Sequence, residues 1–321
     1  MTYNNPTTNI SPYYDDFDDT KGFLRLLFRP GRAVQGRELT QLQTLLQDQI
    51  GKFGNHIFEE KTVIMGGDVG VSINDYVRTR AVEGFDPTTF LGSDIYGATG
   101  TDYADLITDS TSDGYKKARI TAVIPATTED PYDIFFTNQM SGSTFGVGDT
   151  FRAFQSGTSA DSTNMTIPAA LSADETGITG YSLTGSGNVV TVDEGLFYVD
   201  KFFIKTDQQN YIPYNTHELV LNETTRELRI YETDPTKSVG FEIGHSVVEY
   251  TSDSSLLDGS EGTSNFTAPG ADRYKMSLTL GQRDYTSYGT GDSTEVDNSL
   301  VSEENYFELV RLHNGNIQNK L

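Results

Sequence analysis

The sequence predicts a mainly β protein: short-stranded antiparallel β modules that follow an N-terminal extended arm and one long amphipathic α-helix. Three observations carry that prediction. From Thr62 onward the apolar residues fall in short β-branched or aromatic runs closed by turn residues. Gly (31), Tyr (18) and Phe (18) are abundant while apolar residues total a modest 36%, a mixture that suits many strands and tight turns. Only residues 28–58 carry a sustained helical period. With 321 residues the chain is long enough to bury a substantial core.

Residues 1–22 are rich in Asn, Asp and Thr and read as an extended arm. FLRLLF (23–28) is an apolar run that Pro30 and Gly31 turn into the helix: proline fixes φ and glycine permits the bend. The helix is expected from about residue 35 to residue 58. Leu39, Leu42, Leu46, Ile50, Phe53 and Ile57 recur with a 3.6-residue average and form one stripe, while Gln41, Gln43, Gln47, Asp48 and Lys52 take the other face. Strands are expected at VGVSIND (69–75), ARITAVI (118–124), YDIFF (132–136), GFEIGHSVVEY (240–250) and RYKMSLTL (273–280). In the last of these, Tyr274, Met276, Leu278 and Leu280 face a core. The small, polar stretch 145–187 reads as a looped insertion, and 284–299 as a second low-complexity connection. The expected division is an arm (1–22), an apolar segment and assembly helix (23–60), a β-rich domain with a polar insertion (61–187) and a second β-rich domain (188–321).

Several chemistries lack their residues. There is no Cys, so disulfides and thiolates play no part. His56, His217, His245 and His313 show no ligand spacing, and neither a GxSxG elbow nor a phosphate loop occurs. The acids at 15–19 and 253–261 lack the alternation of a calcium loop. The expectation is a chain that is no enzyme, with no catalytic residue, metal or cofactor. A net charge of −23 opposes nucleic-acid binding, and no run of about 18 apolar residues marks a membrane insertion. No leader is recognisable at the N-terminus, so synthesis in a cytoplasm is expected.

A single amphipathic helix in a β-rich chain either covers a sheet of its own domain or packs against other subunits, and both uses stay open on physical grounds. The stretch YYDDFDDTKGFLRLLFRPGRAVQGRELTQLQTLLQDQIGKFGNHIF (13–58) resembles the opening of a virion-protein family of cyanophages and other contractile-tailed phages, grouped with tail-fibre and baseplate proteins. SLLDGSEGTSNFTAPGADRYKMSLTL (255–280) is similar to a later signature of that family, while residues 88–187 match nothing in it. The resemblance implies a structural virion component: an adaptor or fibre base, a homotrimer, that joins other baseplate or tail-fibre proteins through its N-terminal arm and helix. The alternative is a peripheral receptor-binding, glycan-binding or glycan-degrading tail protein. The residues expected at the attachment interface are Phe28, Arg29, Arg32, Arg37, Leu39, Leu42, Leu46, Ile50, Phe53 and Ile57. The arginines there would meet carboxylates of a neighbouring subunit or, equally, Asp15 to Asp19 of the same chain.

Overall fold

The computed structural model describes residues 9–97, 116–154, 165–221, 224–284 and 305–321. One α-helix, α1 (Gly36–Ile57), precedes β1 (Thr62–Gly66) and β2 (Val69–Arg80). Then come β3 (Asp94–Gly97), β4 (Lys116–Ile124), β5 (Tyr132–Gly142), β6 (Thr150–Phe154), β7 (Met165–Thr166), β8 (Thr184–Val192), β9 (Gly195–Val199) and β10 (Phe202–Thr206). The last group is β11 (Gln209–Tyr211), β12 (Asn215–Leu221), β13 (Thr224–Ile230), β14 (Lys237–Val248), β15 (Arg273–Arg283), β16 (Tyr306–His313) and β17 (Asn316–Lys320). The mainly β expectation holds, and every strand pairing among the described residues is antiparallel.

Eight strands in the order β11-β8-β2-β5-β4-β3-β6-β7 curl into a half-barrel. Four more form the sheet β15-β14-β16-β17, and β1-β9-β10 and the hairpin β12-β13 complete the set. One core, with Phe135, Phe151 and Ile95, lies on the half-barrel. A second, with Phe197, Phe241 and Phe307, is shared by β8, β9 and the four-stranded sheet. All five expected strands form. In β15 the alternation is as read: Leu278 and Leu280 are buried, Tyr274 and Met276 half-buried, and Arg273, Lys275, Ser277 and Thr279 exposed.

The pairing runs across the 187/188 division, because Gly187 sits inside β8 opposite Asn74 of β2, and β1 pairs with β9. The stretch 145–187, expected as a looped insertion, holds β6, β7 and the start of β8, and its polar loop 168–183 conceals this in the sequence. It is stitched to the core by Glu175, which accepts a hydrogen bond from Tyr132 Oη (2.8 Å). Most of the 284–299 stretch and residues 155–164 lie outside the described residues.

In β2 the run Tyr76 to Thr79 is buried throughout, including an arginine. Arg78 pairs with Asp130 (2.7 Å), donates to the carbonyl of Arg229 and lies 4.3 Å from the ring centroid of Tyr181. A guanidinium is tolerated there because a carboxylate, a carbonyl and π faces replace its hydration.

Candidate assembly surface

The helix begins where Glu38 accepts the N–H of Gln35 (2.9 Å), half of a capping box that satisfies a backbone donor with no partner inside the helix. It ends where the N–H of Phe58 reaches the carbonyl of Gly54 (2.7 Å). Its buried residues are Thr44, Leu45, Asp48, Gly51 and Gly54. The polar, glycine-bearing side therefore faces the body, and the apolar stripe faces away.

Two features of the β9–β10 hairpin explain this seating. Its two-residue turn, Asp200-Lys201, has φ of 48° and 67°, the geometry that matches the twist of a tight hairpin. The turn brings Lys201 and Tyr198 flat against the helix backbone. A Cβ on Gly51 would lie 2.5 Å from Lys201 Cδ, and one on Gly54 would lie 2.4 Å from Tyr198 Oη. That hydroxyl lies 3.0 Å from the carbonyl oxygen of Gly51 and 2.7 Å from Oδ1 of Asn55. Gln47 donates to the carbonyl of Lys201 (2.7 Å), and Lys201 Nζ reaches Asp48 (3.2 Å). Phe58 packs against Tyr198 at a tilt and edge-on against Phe203, with both centroids at 5.8 Å.

The described part of the arm closes the same flank. The Thr44 hydroxyl donates to buried Asp15, Gln41 to Asp16 (3.0 Å), and Lys52 bridges Asp19 (2.5 Å) and Asp48 (2.7 Å). Those two carboxylates hold the Lys52 ammonium above its ordinary range. Tyr13 Oη donates to Asp272 (2.6 Å), so the two segments quoted above for their resemblance meet in space. Asp15, Asp16 and Asp19 thus tie the arm to its own helix.

What remains uncovered is the stripe and the segment before it. Leu39, Leu46, Ile50, Phe53 and Ile57 are 51%, 57%, 50%, 67% and 55% exposed, while Leu42 is half-buried. At 100° per residue the stripe centres roughly 180° from the face that holds Thr44, Asp48 and Gly51. Phe23, Leu24, Leu27, Phe28 and Val34 are exposed as well. Among the described residues the only backbone hydrogen bond within 23–34 runs from Arg32 N–H to the carbonyl of Arg29 (3.3 Å). This segment starts near Asp19, which lies beside Lys52, and must return to Gly36, about 24 Å back along the helix axis.

Of the three expected arginines, Arg37 lies 4.0 Å from Asp16, whereas Arg29 and Arg32 make no ion pair among the described residues. Residues 21–58 hold six basic side chains and two acidic ones in a chain of net charge −23. Both acids are engaged: Asp48 is buried and Glu38 caps the helix.

The face that docks was not read from the sequence. Glycines at 51 and 54, one turn apart inside a helix, were its signal, since each costs about 1 kcal/mol unless close packing needs it.

Residues 11–83 match a domain of unknown function, DUF4815. No curated protein and no solved structure matches the chain. The match spans most of the docked arm, the exposed segment, α1, β1 and β2, but not the β9–β10 hairpin on which the helix sits. In the structure that unit is not self-sufficient. β2 lies between β5 and β8, and β1 pairs with β9, all outside the match.

Elsewhere the polar side chains pair with one another. His245 Nδ1 lies 2.7 Å from Tyr274 Oη and its Nε2 3.5 Å from Asp200, which ties the hairpin turn to the four-stranded sheet. His56 and His217 are exposed. Asp253 and Asp258 accept the N–H groups of Ser255 and Ser260 (2.9 Å each), and hydrogen bonding from the two serine side chains, then from these N–H groups, holds both carboxyls below their ordinary range. Among the described residues no three His, Asp or Glu side chains are grouped to hold a metal ion, and no helix is long and apolar enough to cross a membrane.

Proposed function

We propose that this chain is a structural component of a contractile-tailed phage virion, an adaptor or fibre base that joins tail or baseplate to fibres through residues 9–58 and that is assembled in the host cytoplasm. One observation carries the assembly part of this reading: a helix of 22 residues sits firmly on the body through its polar face and presents its apolar face outward. Folding alone does not reward that arrangement, because exposed Leu, Ile and Phe gain nothing until a partner removes them from water. The phage setting rests on the resemblance of residues 13–58 and 255–280 to tail proteins.

The test is incorporation. Particles assembled with a Leu46→Asp chain should lack it, while a Val220→Asp chain, altered at an exposed site on β12, should be incorporated at normal copy number. Particles that carry the Leu46→Asp chain at normal copy number would overturn the attachment role.

A further inference from the structure

We propose that the outward stripe of α1 is covered by α1 of another copy of this chain, so that the assembly surface is homotypic. This inference rests on the assembly reading above and names the partner.

Three features of the surface fit a second copy. The first is the chemistry of its borders. Gln43 and Gln49 flank the stripe and are exposed. A primary amide both donates and accepts, so two such borders satisfy each other across a symmetric seam, which two lysines or two glutamates would not do. The second is charge. The chain carries 46 acidic residues, yet the outward side of α1 offers no free carboxylate, since Asp48 is buried between Lys52 and Lys201 and Glu38 is bound to the Gln35 N–H. Copies repel one another at long range, but this face is where like approaches like without a negative charge at the seam.

The third feature is extent. The stripe spans 19 of the 22 helical residues, about 27 Å, which suits a helix-on-helix seam.

The absence of cysteine from the chain makes a direct test available, because a single introduced thiol is unique. Leu46→Cys and Phe53→Cys place a thiol on the stripe, and Ser260→Cys places one on an exposed loop as a control. At tens of micromolar protein and about 0.15 M salt, where the Debye length is ~8 Å, mild oxidation should convert at least one stripe variant to a covalent homodimer and leave Ser260→Cys a single chain. No dimer from either stripe variant would overturn the proposal, and so would equal cross-linking of all three. A chain that enters particles yet never cross-links to itself contradicts the homotypic seam alone. One that cross-links at the stripe but is missing from particles contradicts the virion role alone.

Discussion

Gly54 shows how a single missing methyl group sets the position of a helix. Alanine is the better helix former by about 1 kcal/mol, yet its Cβ would meet Tyr198, whose hydroxyl is held at Gly51 and Asn55. Overpacking against an anchored ring costs about 1–3 kcal/mol, so the clash should win: Gly54→Ala lowers the melting temperature, as calorimetry would read it. At the other end of the unit, donation to Asp272 pushes the Tyr13 hydroxyl up to about 12 from its ordinary 10.0. The fold holds the neutral phenol. Its contribution is therefore complete below pH 10 and is lost as pH rises through about 12. Denaturant melts of wild type and Tyr13→Phe should differ by a constant amount up to pH 10 and converge above it. At such a half-buried, solvent-screened site the difference is at most about 1 kcal/mol. A gap that persists unchanged at pH 12 would show that the bond is not what anchors the arm.

The limits of α1 were legible in the sequence because they are local properties: a 3.6-residue period and a turn at Pro30-Gly31 before it; the Gln35–Glu38 capping box came only with the structure. The face that packs inward was not legible, because its partners, Tyr198 and Lys201, lie 143 to 154 residues away. The apolar stripe gave the stronger pattern, and the glycine-bearing face took the core contact through hydrogen bonds and close approach. A physical consequence follows for Leu46→Asp. A charge placed on an outward face removes no intramolecular packing, so the stability of the single chain should move by no more than about 0.5 kcal/mol, measured by denaturant unfolding at high dilution. A loss of several kcal/mol would mean that the stripe is covered by its own chain.

At the scale of the molecule, the mainly β character was readable from strand-length runs, whereas the order of strands was not. A 187/188 division looked natural because glycines and small polar residues cluster there, yet β8 runs through it and pairs with β2. The same topology makes the unit that matches DUF4815 dependent on the rest. β2 is a central strand whose Arg78 needs Asp130, and β1 needs β9. A fragment of residues 11–83 should therefore show no cooperative unfolding transition by circular dichroism, while the full chain shows one. The account as a whole stands on the outward stripe of α1 being an assembly surface. Light scattering of the purified full chain at tens of micromolar and about 0.15 M salt, run beside Leu46→Asp, tests it most directly. The account predicts a mass that is a multiple of 35.4 kDa for the wild type and 35.4 kDa for the variant, with the variant still folded. A wild-type mass of 35.4 kDa, or a variant that keeps the wild-type multiple, would contradict it.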